Sequence, residues 1–191
     1  LAVFGTLALW LWRRGLRAGT PISVLHVAVD HFAAYLEHHG QANGQHCIRR
    51  VAAALRATCK RPADVLARVL DLQFAILLPH TPRKGAEHFA HRVLDSVEAI
   101  GISHAASPTA RHVTVSVGLS TYDEATLGWI APSSESRYGG LADYLCSKDD
   151  LVEASQRALF AATSAGHAQA WFLDSSHSAM PLSMIKVLAI M

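Results

Sequence analysis

A chain of 191 residues, of which 51% are hydrophobic and 17% charged, has the apolar content for one core and excludes a disordered segment. A formal net charge of +2 excludes the strong field that draws a protein onto nucleic acid or an acidic membrane, although 12 His make the chain much more basic at mildly acidic pH. The three cysteines, Cys47, Cys59 and Cys146, are odd in number and form no CxxC pair, which excludes a zinc ribbon and suits a reducing cytoplasm.

Residues 1–18, "LAVFGTLALWLWRRGLRA", read as a leading helix with a wide apolar face, packed on the core or on a partner. Its apolar run is shorter than the roughly 17 residues needed to span a bilayer. Membrane contact, a tether to the inner face, follows only if residues 1–12 continue a longer span. No small-residue cleavage site marks a signal peptide.

Residues 19–174 form the expected domain. "PISVLHVAVDHF" is a buried central strand, because it is an apolar run of strand length. "HFAAYLEHHG" is a short helix ending at Gly40. "QHCIRRVAAALRATCK" is a longer helix, with Ile48, Val51, Ala52 and Leu55 at i, i+3, i+4 and i+7. "DVLARVL" and "FAILLP" form a hairpin whose join, Leu70-Asp71-Leu72-Gln73, lacks the Gly or Asn that tight turns use. "TPRKGAEHFAHRVLDSVEAI" is a helix with Pro82 near its start and Gly101 after its end. "RHVTVSVGLSTYD" is a β-branched strand. Residues 121–147 are a long loop. "KDDLVEASQRALFAATSAG" is a helix with Asp149 or Asp150 as its cap, and "QAWFLD" is a last strand. Residues 175–191 are a Ser/His-rich and then apolar tail. The order β-α-α-β-β-α-β-α-β predicts an α/β fold of the ferredoxin-like palm kind, with a mainly antiparallel or mixed sheet of about five strands flanked by helices.

Five pieces carry a resemblance: "VDHFAAY", "RRVAAALRATCKRPADVLAR", "FAILLPHT", "HVTVSVGLS" and "RALFAATSAG". In this order and spacing, from about Thr6 to Phe172, the chain resembles a GGDEF domain, the diguanylate cyclase fold. The resemblance implies a palm in which two GTP molecules are joined into cyclic di-GMP with two Mg²⁺ ions. It puts Leu70, Asp71, Leu72 and Gln73 at the first four positions of the name motif, and only Phe74 keeps the family residue.

Each requirement of that reaction then meets the wrong side chain. The metal ligands fall on Ala28 and Leu72, and Mg²⁺ needs hard oxygen donors. Asp30, two residues after Ala28, keeps the same strand parity but replaces the ligand only if the strand ends differently. The glycines that admit phosphate fall on Leu70 and Asp71, adding bulk and negative charge. The helical Lys and Arg fall on Thr163 and His167. The guanine-reading Asn and Asp fall on Leu36 and Gln45, and Leu36 has no hydrogen-bonding group.

A second family site survives. The product-binding inhibitory signature Arg-x-x-Asp stands in "RPAD" as Arg61 and Asp64, with five residues between Asp64 and Leu70, and Arg92 matches a further Arg from the next helix. The expectation is a catalytically inactive GGDEF domain that receives cyclic di-GMP at Arg61, Asp64 and Arg92, with no Mg²⁺ and no cofactor. The alternative is a nucleotide-independent interaction or dimerisation module that uses the leading helix or the 70–73 turn. An active cyclase is the reading least supported by these residues. The remaining signals are weaker: His88 and His91 share a helix face, and His38, His39 and His46 lie close together, without an evident third ligand. "YGG" at Tyr138 lacks the context of a P-loop, and Ser116 and Ser120 have no His–Asp partners.

Overall fold

The computed structural model describes residues 18–123, 148–173 and 179–181. The leading helix, the 124–147 loop with Tyr138 and most of the tail lie outside the described residues. The elements are β1 (Ile22–Val29), α1 (Phe32–Thr58), β2 (Val65–Leu70), β3 (Gln73–Pro79), α2 (Arg83–Glu98), β4 (Val115–Tyr122), α3 (Lys148–Ser164), β5 (Ala170–Leu173) and β6 (Ala179–Pro181). They form one mixed sheet in the order β2-β3-β1-β4-β5-β6. β1 runs antiparallel to both β3 and β4, β5 is parallel to β4, and β6 is antiparallel to β5.

β1 reads as a continuous apolar run because both of its faces are covered. Leu25, Val27 and Val29 point into the main core with Val51 and Leu55 of α1 and Ala90 and Val93 of α2. His26, one residue out of phase, points to the other face, where its Nδ1 meets Ser155 Oγ of α3 at 2.7 Å. Helices therefore cover both faces, with α1 and α2 on one and α3 on the other. Gly118 of β4 allows the close approach of α3: a β-carbon there would lie 2.1 Å from Leu159 N and from Ser155 O. Among the described residues no helix is long and apolar enough to cross a membrane.

Three expectations need adjustment. The sheet has six strands rather than about five, because Ala179–Pro181, within the expected tail, pairs with β5. The second helical segment starts directly after Gly40, not at Gln45. Gly40 breaks the helix with φ 78° and ψ 168°, and the following Gly44 is buried beneath Leu36, so packing overrides the poor propensity of "QANG". Asp149 and Asp150 stand within the first described turn of α3 rather than before it.

The hairpin turn is built without a left-handed residue, since the positive φ angles lie elsewhere. The β2–β3 register is irregular between Arg68 and Leu70. A bulge at such a position raises the local twist of a strand pair. Arg68 then spans the turn, its Nε donating to Asp71 O at 3.1 Å and its Nη2 to the same oxygen.

Candidate ligand-binding sites

The "RPAD" segment follows the end of α1 and folds into a β-turn. Asp64 N donates to Arg61 O at 3.0 Å, with Pro62 at the second position, where its fixed φ favours the turn. The Asp64 carboxylate folds back, and Oδ2 accepts from Arg61 N at 3.2 Å. Its other oxygen, Oδ1, is shielded from solvent and has no partner. The Arg61 side chain reaches Thr81, Nη1 donating to Oγ1 at 3.3 Å. Thr81 is itself fixed: its hydroxyl donates to Pro79 O at 3.0 Å, and its carbonyl accepts from Ser23 Oγ at 2.8 Å. From α2, the Arg92 guanidinium lies 5.0 Å from the centre of the Phe89 ring. Arg61, Asp64 and Arg92 thus line one recess of about 140 Å³, together with Lys60, His80 and Phe89.

Lys60, Thr81 and Phe89 are absent from the sequence-based set. Lys60 adjoins Arg61 in the chain, and Phe89 lies one helical turn before Arg92 on the same face, so both had a local signal. Thr81 had none. Cys59, just before the turn, has a thiol pushed up to about 11 by burial and by the Asp64 charge, which makes it a poor nucleophile.

A second, larger cleft of about 560 Å³ opens beneath the hairpin turn. Leu36 and Gln45 both line it, with Phe32, Ile48, Arg49, Arg68, Asp71 and Leu72. Ala28 and Leu72 stand at adjacent strand ends: Val29 N donates to Leu72 O at 3.2 Å, and Ala28 pairs with Gln73. Their side chains are a methyl and an isobutyl group. This donor set does not fit Mg²⁺, which takes oxygen ligands. Among the described residues no cluster of three or more His, Cys, Asp and Glu could hold a metal ion, His38, His39, His46, His88 and His91 included. Leu70 is 57% exposed and Gln73 pairs with Ala28 in the sheet; neither lines the cleft.

Thr163 and His167 are not brought to this cleft. Thr163 Oγ1 bonds back to Phe160 O of its own helix at 2.9 Å. His167 turns to Asp30. That carboxylate is 3% exposed and accepts four hydrogen bonds: Oδ1 from Ser116 Oγ at 2.7 Å and His167 Nδ1 at 3.0 Å, Oδ2 from Thr114 Oγ1 at 2.8 Å and Ala168 N at 3.0 Å. Asp30 is therefore committed to the fold. His31 packs against His167 with ring centres 4.1 Å apart, and desolvation, with the neighbouring His167, lowers its pKa.

The family model for the diguanylate cyclase GGDEF domain matches residues 5–129. The chain belongs to the GGDEF family. This GGDEF domain is 29% identical over 105 residues to diguanylate cyclase VdcA of Vibrio cholerae serotype O1, covering 54% of the chain and 31% of that protein. It is 30% identical over 102 residues to diguanylate cyclase A of Treponema denticola, covering 53% of the chain and 27% of that protein. The chain thus spans less than a third of the length of either relative. The crystal structure of the GGDEF domain of DgcB from Caulobacter crescentus, in complex with c-di-GMP, matches with a TM-score of 0.71 at 18% identity, over 90% of this chain and 86% of that one.

Proposed function

We propose that this GGDEF domain is a catalytically silent receptor for cyclic di-GMP, which it binds through Arg61, Asp64 and Arg92. The observation that carries the reading is the unpartnered Asp64 Oδ1, a shielded carboxylate oxygen in a recess whose other charged groups are Lys60, Arg61 and Arg92. A buried acceptor without a donor costs about 1–3 kcal/mol, so a ligand that brings an N–H to it recovers that energy. Guanine offers N1–H and an amino group on one edge, and O6 and N7 on another, which a guanidinium reads with two parallel bonds. Three cations against one carboxylate complement the two phosphodiester charges of the dinucleotide. The DgcB complex supports the choice of ligand within the same fold.

The side chains of the cleft support catalytic silence. Phosphoryl transfer depends on positioned metal and electrostatic stabilisation of the developing charge. Ala28 and Leu72 supply no ligand, Leu36 reads no base, and His167 is held by Asp30. The second reading, a nucleotide-independent interaction or dimerisation module, rests on Leu70, exposed at the hairpin tip. It assigns no role to the Asp64 recess.

Thermal unfolding with and without cyclic di-GMP tests the receptor role. A ligand at about 100 times its Kd stabilises by about 2.7 kcal/mol, which raises Tm by several degrees. The rise is expected for the wild type and not for Arg61→Ala. Incubation with GTP and Mg²⁺ is expected to give no cyclic di-GMP. Product formation overturns the silent reading, and an unchanged wild-type Tm overturns the receptor reading.

A further inference from the structure

The cleft beneath the hairpin turn has lost the chemistry of a metal–triphosphate site but has not closed. Its volume of about 560 Å³ lies within the usual range for small-molecule pockets. Its floor is apolar: Phe32, Leu36, Ile48 and Leu72, of which Leu36 and Leu72 are partly buried against the main core. A β-carbon at Gly44 would lie 2.1 Å from Leu36 Cδ2, so Leu36 packs directly on the bare backbone there.

The rim sets the charge. Arg49 is exposed and has no ion-pair partner among the described residues. Arg68 is anchored on the Asp71 carbonyl, and its nearest carboxylate contact, Asp71 Oδ1 at 4.0 Å, is a solvent-exposed pair that neutralises little. The cleft therefore offers an apolar bed with a net positive rim, and Gln45 adds a carboxamide. A polyphosphate finds no cation site and meets Asp71. A single anionic group on an apolar body meets both the floor and Arg49.

We propose that this cleft binds a small amphipathic anion, an aromatic or branched apolar body carrying one carboxylate or sulfonate, without a metal ion. The site is independent of the Arg61–Asp64 recess. The apolar body lies over Leu36 and Leu72 and the acid group pairs with Arg49, with Arg68 beside it.

The test uses the full chain and the aromatic sulfonate 8-anilinonaphthalene-1-sulfonate as probe, in the presence of a chelator, followed by fluorescence. The wild type is expected to bind one equivalent saturably. Arg49→Glu is expected to weaken binding about tenfold or more, the usual effect of losing a charge-assisted contact. Leu36→Glu is expected to do the same, and Arg157→Ala, an exposed position on α3 outside both sites, to bind like the wild type. Circular dichroism melts establish that each variant is folded; should Leu36→Glu not fold, the exposed Arg49→Glu variant decides. Absence of saturable binding overturns the proposal, as does equal affinity in Arg49→Glu, which would place the probe on another apolar surface.

Discussion

Replacing Asp30 with Ala is expected to destabilise the domain by about 3–5 kcal/mol, the range for removing one member of a buried charged network. Four donors lose their acceptor at once: Ser116, Thr114, His167 and the Ala168 amide. They come from the start of β4 with the residue just before it, and from the segment linking α3 to β5, so the carboxylate joins three parts of the chain at one end of the sheet. It also holds an unusual backbone. His31, His167 and Ala168 have φ of 50°, 65° and 51°, the left-handed region that costs a non-glycine residue about 1–2 kcal/mol. Native domains are stable by only about 5–15 kcal/mol, so the loss is a large share of the whole. Asp30→Asn is expected to fall between, since one oxygen still accepts while its amide group faces a donor. Urea unfolding measures the effect. A midpoint for Asp30→Ala equal to the wild type would show that the four bonds contribute nothing net.

Acidification is expected to weaken the fold through His26. This residue is 1% exposed in β1, and burial lowers its pKa from the ordinary 6.5 to about 4. Ser155 Oγ donates to Val152 O, so it accepts from His26 Nδ1–H and holds the neutral ring in place. The sign follows from which state binds the proton more readily. Between pH 6.5 and about 4 the unfolded chain protonates His26 and the folded chain does not. Stability from the neutral ring is thus complete above pH 6.5 and is lost as pH falls toward 4, by about 3 kcal/mol in all at 1.36 kcal/mol per pH unit. His31 shifts in the same direction. Urea midpoints measured from pH 7 to pH 4 in the wild type and in His26→Gln check this. The variant is expected to show a flatter profile, and parallel profiles would exclude His26 as the source.

What could be seen in the sequence depended on how local the signal was. The β1 run, the Gly40 break and the Pro82 start of α2 are each encoded within a few residues, and each stands where the pattern placed it. The recess at Arg61, Asp64 and Arg92 was partly legible, because the family spacing placed those three on neighbouring elements. Thr81, which fixes Arg61, was not, because it lies twenty residues away in the chain. The Asp30 network was the least visible. Its donors lie more than eighty residues away, and its residue types are ordinary for loops and strands. β6 was missed because three residues with a Pro carry almost no strand pattern. Leu36 was legible as a lost hydrogen-bonding group, but its seat over Gly44 required the two sides of the helix break to be placed together.

On the reading proposed above, cyclic di-GMP is recognised by Arg61 and Asp64 and not by residues 70–73. Isothermal titration of the wild type, Arg61→Ala and Asp64→Ala with cyclic di-GMP tests it most directly. Saturable heat is expected for the wild type with a Kd below about 100 µM, and none for either variant. No heat with the wild type, or the same isotherm for all three proteins, would contradict it.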